Sequence, residues 1–123
     1  MSDGEILILE DEALIAMDIE MTLASAGYEN ISVHHDVDSA LEQIETSAPV
    51  AAFLDFNLGR GKTSLPVAQR LKSVGIPFIF LTGYTDATVS LPEELTHAKR
   101  VTKPFHGAEI VSLLDELVSR NEA

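Results

Sequence analysis

The 123-residue chain has no cysteine and no tryptophan. Without cysteine there is neither a disulfide framework nor a thiolate nucleophile or metal ligand, which fits a reducing compartment. Basic residues are scarce: 8 lysines and arginines stand against 20 aspartates and glutamates, for a formal charge of −12. So acidic a surface repels phosphate backbones and argues against DNA or RNA as a ligand. No apolar run approaches the roughly 18 residues of a membrane span. The acidic start "MSDGE" lacks the basic opening of a secretory signal. The expectation is a soluble, cytoplasmic protein with no membrane or nucleic-acid partner. The acidity itself serves solubility in its plainest reading, and in a sharper one some of the carboxylates cluster around a divalent cation.

What is present is an apolar content of 46%, enough for one core in one domain spanning residues 1–123. Strand and helix signals alternate along it. "EILIL", "NISVHH", "VAAFL", "PFIFL" and "RVT" read as five strands, the first, third and fourth nearly continuous in apolar residues, as strands covered on both faces must be. Between them lie helical segments. One runs up to a stop at Gly27. Another is capped by Asp36 or Asp38, and a third is capped by Thr63 or Ser64 and ends near Gly75. "GAEIVSLLDELVSR" closes the chain as an amphipathic helix. Residues 83–99, "GYTDATVSLPEELTHAK", break the rhythm with poor apolar spacing and Pro92 in the middle, so at most a short helix near 92–98 and raised mobility are expected. The pattern predicts an α/β, flavodoxin-like, doubly wound sheet of five parallel strands in the order 2-1-3-4-5, with a weak or missing fourth helix. In such sheets ligands bind beyond the carboxyl ends of the strands, at the switch in strand order.

Chemistry-bearing residues collect at those ends. Glu10, Asp11 and Glu12 follow the first strand, Asp55 the third, Thr82 the fourth, and Lys103 with Pro104 the fifth. Singly, each has an ordinary explanation: a helix cap, a turn residue, a solvated charge. Jointly they form a set. Converging carboxylates repel one another, and a hard dication such as Mg²⁺ with oxygen ligands relieves this. An aspartate is already ionised and can act as a nucleophile, while an ammonium and a hydroxyl could meet the oxygens of a phosphoryl group bound to it. Phosphoryl transfer requires mainly positioning and charge neutralisation, which these residues offer.

The stretch "DFNLGRGKTS" (residues 55–64) also invites a nucleotide-loop reading, because "GKTS" resembles the end of a P-loop. That pattern requires a glycine at position 56, where Phe56 stands, and its loop would begin on a carboxylate that opposes phosphate. The segment is better read as a mobile loop leading into a helix cap. No dinucleotide fingerprint follows the first strand. His34 and His35 are adjacent on a strand and point to opposite faces, and His97 and His106 are isolated, so the histidines read as satisfied or surface groups.

"ILILEDE", "FLDFNLG", "FLTGY" and "VTKPF" together make the chain resemble a response-regulator receiver domain of two-component signalling, from about Glu5 to Arg120. The resemblance implies that Asp55 accepts a phosphoryl group from a histidine kinase. It implies that Glu10 and Asp11, with Asp55 and the backbone carbonyl of Asn57, hold Mg²⁺. Thr82 matches the hydroxyl that turns toward the phosphoryl group, Lys103 the lysine that contacts it, and Pro104 the proline after a cis peptide. One departure stands out: three residues before Lys103, where receivers carry an aromatic switch residue, there is Arg100. "PFIFLTGY" is similar to a subclass nicknamed FATGUY, often paired with HWE-type kinases, in which Tyr84 could take over as the moving aromatic. The implied function is a stand-alone switch acting as relay, phosphate sink or regulator of a downstream protein, whose only chemistry is on itself. The competing reading is an aspartyl-phosphate hydrolase of small phosphoesters. Such an enzyme would carry a second acid two residues beyond its nucleophile, and Asn57 is there instead.

Overall fold

The structure, a computed structural model, describes residues 4–83, 91–96 and 98–122. In chain order the elements are β1 (Ile6–Leu9), α1 (Ala13–Ser25), β2 (Ile31–His34), α2 (Val37–Thr46), β3 (Ala51–Asp55), the short strands β4 (Asn57–Gly59) and β5 (Lys62–Thr63), α3 (Leu65–Ser73), β6 (Phe78–Thr82), a 3-10 turn (Glu93–Leu95), β7 (Lys99–Thr102) and α4 (Gly107–Glu122). Five strands form one parallel sheet in the order β2-β1-β3-β6-β7. With β4 and β5 set aside as a separate hairpin, this is the expected 2-1-3-4-5 order.

The sheet is covered on both faces because successive side chains of a strand alternate sides. Ile6, Ile8, Phe53, Ile79 and Leu81 pack with Ile19 and Leu23 of α1 and Ile110 and Leu114 of α4. Leu7, Leu9, Leu54, Phe78 and Phe80 pack on the other face with Ala40 and Ile44 of α2 and Val67 and Leu71 of α3. Every residue of β1, β3 and β6 is buried, whereas β2 is half-buried and only Val101 of β7 is fully so, as befits the two edges. Phe56, the residue that breaks the P-loop pattern, is buried and meets Phe80 edge-to-face. It belongs to the core.

Several sequence expectations are refined. Asp36 is the cap of α2, accepting the Ser39 N–H at 2.8 Å, while Asp38 lies in the first turn. Ser64 occupies the N-cap of α3 but makes no capping bond, and Gly27 and Gly75 lie beyond their helices at φ 104° and 78°. The expected mobile loop around "GKTS" is instead the β4–β5 hairpin, in which Asn57 pairs with Thr63 and Gly59 with Lys62. Strands of two and three residues carry no apolar run, so periodicity could not detect them. Around Pro92 the described residues form the 3-10 turn alone; Tyr84 and His97 lie outside the described residues. His34 is the last residue of β2 and His35 lies beyond it, each with a hydrogen-bond partner: Ser39 and Ser32 for His34, the Glu10 carbonyl for His35.

Candidate functional site

The strand register aligns the ends of β1, β3, β6 and β7. Leu9 is level with Leu54 and Asp55 with Leu81, so Glu10 and Asp55 emerge side by side. Beyond the last pair of β6 and β7, Thr82 with Thr102, the Lys103 N–H still donates to the Thr82 carbonyl at 2.8 Å. This continuation holds Lys103 at the same edge.

The Lys103 ammonium lies 3.0 Å from Glu10 Oε1 and 3.2 Å from Asp55 Oδ1. Glu10 is wholly buried, and its other oxygen accepts the Glu12 N–H at 3.2 Å. Asp55 is 3% exposed. Asp11, by contrast, is exposed, yet ligand oxygens of Glu10, Asp11 and Asp55 all lie within 4.8 Å of one another. Asp11, Glu12, Asp55, Asn57, Gly59, Gly83 and Lys103 line one open depression of about 320 Å³.

One ammonium does not neutralise three carboxylates in so dry a place. Burial first, then the Glu10 carboxylate and more weakly Asp11, push the Asp55 carboxyl up to about 8, against the pull of Lys103. Burial also pulls the Lys103 ammonium down, but Glu10 and Asp55 outweigh it and leave it above its ordinary value. An all-oxygen donor set with a surplus of buried negative charge suits a hard dication. The residues present therefore fit the magnesium expected from the sequence.

Thr82 is 5% exposed and its hydroxyl donates to the Val101 carbonyl at 3.4 Å. Asn57 is exposed, and its side-chain oxygen accepts the Gly59 N–H at 2.9 Å. The Lys103–Pro104 peptide is cis. Arg100 is exposed on β7, level with Phe80. The structure thus brings Asp11, Asp55, Asn57 and Lys103 to one depression, with the buried Glu10 in contact with Lys103 and Thr82 preceding the lining residue Gly83, and leaves Arg100 exposed within β7. Sequence reasoning missed the hairpin that walls the depression. A Cβ built on Gly59 would come 3.6 Å from Asp11 Oδ2, so the hairpin passes close to the acids.

Residues 6–115 match the family model of the response regulator receiver domain. The chain belongs to this family. As a receiver it is 36% identical to SdrG from Sphingomonas melonis, whose solution structure it matches with a TM-score of 0.80 over 96% of this chain and 99% of that one. It is 32% identical over 114 residues to the phyllosphere-induced regulator PhyR of Methylorubrum extorquens, covering 91% of this chain and 42% of PhyR. It is also 29% identical over 117 residues to the transcriptional regulatory protein PdtaR of Mycobacterium tuberculosis, covering 94% of this chain and 57% of that protein. The receiver thus spans about half the length of these two regulators. Among the described residues no helix is long and apolar enough to cross a membrane.

Proposed function

We propose that this receiver is a phosphorylation switch in which Asp55 takes a phosphoryl group from a histidine kinase. The observation that carries the reading is the Asp55 carboxylate itself: nearly buried, open to a depression, 3.2 Å from the Lys103 ammonium and beside two further acids. Glu10, Asp11, Asp55 and the Asn57 carbonyl would hold Mg²⁺, which when bound supplies the positive charge that lets Asp55 ionise and a phosphoryl oxygen approach. Asp55 then presents an ionised oxygen to phosphorus, Lys103 meets a second phosphoryl oxygen, and Thr82 exchanges its long bond to Val101 for a third. Because that bond is already 3.4 Å, its release costs little and the motion of Thr82 can be transmitted to β7.

A protein donor is favoured by α1. Leu14, Met17 and Met21 are 80%, 53% and 62% exposed at helical spacing, an apolar stripe starting three residues from Asp11. A depression lined by Ile15, Asp18, Gly83, Lys103, Pro104 and Phe105 joins this helix to the site. We assign the receiver to the FATGUY-like subclass, and its donor to the HWE type, on "PFIFLTGY" and the absence of an aromatic at Arg100; Tyr84 is then the moving aromatic. Profiling transfer from HWE-type and other histidine kinases tests that assignment, and equal transfer from both classes removes it. The acceptor of the signal is a downstream protein, with relay, sink and regulator as the available roles.

The hydrolase reading lacks support in the geometry, because Asn57 provides no acid or base and its side-chain oxygen is committed to Gly59. Incubation with acetyl phosphate and Mg²⁺ decides between them. Stoichiometric phosphorylation seen by intact mass, lost in Asp55→Asn and in EDTA, is expected. Multiple turnover on unrelated phosphoesters would instead establish the hydrolase.

A further inference from the structure

The β4–β5 hairpin forms a wall of the site, yet the chemistry above uses nothing of its tip. There Gly59, Arg60 and Gly61 all have positive φ, at 82°, 55° and 75°. Glycine adopts this conformation freely, but a residue with a Cβ does so at a cost, so arginine between two glycines is an outlier that asks what its side chain does. Arg60 and Lys62 are both exposed. Among the described residues, Lys103, Arg70 and Lys99 are in ion pairs with acids, whereas Arg60 and Lys62, like Lys72 and Arg100, have none; of these four only Arg60 and Lys62 adjoin or pair with Gly59 at the site. In a chain of net charge −12, two cations without an ion pair thus sit on either side of the hairpin turn beside Gly59, which lines the depression that holds Asp11 and Asp55: Arg60 follows Gly59 in the chain and Lys62 pairs with it across the hairpin. The hairpin is anchored by the Asn57–Thr63 pairing, by the Gly59 N–H on Asn57 and by the Ser64 N–H on the Phe56 carbonyl at 3.0 Å. The backbone that carries the two cations is therefore paired as a hairpin.

We propose that Arg60 and Lys62 are an anion-steering pair that selects and speeds the encounter of the anionic phosphoryl donor with the site, an inference that rests on the function proposed above. A donor entering the depression meets Asp11, Glu12 and Asp55, and the field of these acids, with Glu10 buried behind them, repels it. Two cations beside Gly59 lower that barrier for anions at the point of entry. They act on encounter, before bonds change. In the step that follows with acetyl phosphate, the bond from phosphorus to the acetate oxygen breaks with its electron pair leaving on acetate. An Asp55 oxygen supplies the pair for the new P–O bond, and nothing is oxidised or reduced.

The test uses acetyl phosphate as donor, saturating Mg²⁺ and the initial rate of Asp55 phosphorylation, in wild type and in the double variant Arg60→Gln/Lys62→Gln. At low ionic strength the variant is expected to be about tenfold slower, the low end of electrostatic steering. At about 1 M salt, where the screening length is only about 3 Å, the two rates should converge. The swap Arg60→Lys/Lys62→Arg, which keeps both charges, should retain the wild-type rate. Arg60→Gly, which relaxes the backbone but removes one charge, should slow the reaction by an intermediate factor. Equal rates at low salt, or a deficit that persists undiminished at high salt, would overturn the steering role while leaving Asp55 as acceptor. Wild-type protein that is never labelled on Asp55 overturns the proposed function and this inference with it.

Discussion

Under the proposed function, Asp55 is asked for two things that oppose each other. A nucleophilic carboxylate must be ionised, yet its burial and its acidic neighbours hold its proton up to about pH 8. The conflict predicts the sign of a substitution. Asp55→Asn removes a charge the metal-free fold resists, so at pH 8 and without Mg²⁺ the variant should be more stable than wild type by about 1–3 kcal/mol. Urea denaturation in EDTA checks this, and a destabilised variant would show that the carboxylate is accommodated after all. Lys103 carries the complementary load. Its removal in Lys103→Ala leaves the fully buried Glu10 without its cation and should cost about 3 kcal/mol in the metal-free protein near neutral pH, the low end for breaking a buried pair. Excess Mg²⁺ should restore part of that loss in the same denaturation assay. Glu10, Asp55 and Thr82 stood out in the sequence because each directly follows or ends an apolar strand, with Asp11 one residue further on, whereas Lys103 follows the polar edge strand β7 and stood out only as part of "VTKPF". What could not be read was that Glu10 is dry and Asp11 wet, since two adjacent acids differ in burial only through what packs over them.

At the scale of elements, two helix starts that look alike in sequence behave differently. Asp36 caps α2 with a real hydrogen bond, whereas Ser64 at the start of α3 has a fully buried hydroxyl with no partner. Pro66 at the second helical position of α3 lacks one of the N–H groups such a cap would bind. Asp36→Ala should therefore cost about 1 kcal/mol. Ser64→Ala should be neutral or stabilising, because it removes a desolvated hydroxyl that no bond compensates. Shifts in the urea midpoint at unchanged slope check both, and equal losses would mean that Ser64 is capped in solution. The long elements were readable because burial on two faces writes itself as apolar runs in β1, β3 and β6, and burial on one face as the stripe of α4. The hairpin was not, because pairing of Asn57–Gly59 with Lys62–Thr63 is set by three consecutive positive φ values and not by hydrophobicity. In α1 the pattern ran the other way. Its apolar residues outnumber what the sheet can cover, and Leu14, Met17 and Met21 are left in solvent beside the site.

For the whole molecule, the doubly wound order places all surplus negative charge of the site at one end of a sheet whose interior is otherwise apolar, so stability and cation binding must be linked. The folded carboxyl of Asp55 keeps its proton up to about pH 8, while in the unfolded chain it loses it near 3.8. Between these values the folded state holds a proton the unfolded state has released, so the metal-free fold loses stability as pH rises. Below about pH 6.5 an opposite effect enters. Burial lowers His34 from its ordinary value, so the unfolded chain takes up a proton there first and stability falls with falling pH. Between pH 6.5 and 8.5 the Asp55 contribution has a slope of at most about 1.4 kcal/mol per pH unit for one proton, fading above about pH 8 as the folded group also ionises. Bound Mg²⁺ requires the ionised site, so its stabilisation should grow over the same range. Thermal melting in EDTA should show Tm falling from pH 6.5 to 8.5 in wild type and staying level in Asp55→Asn. In excess MgCl2 the wild-type decline should shrink or reverse. A metal-free Tm that rises with pH across this window would mean that Asp55 is already ionised in the fold, and that Lys103 alone suffices to hold the three acids together.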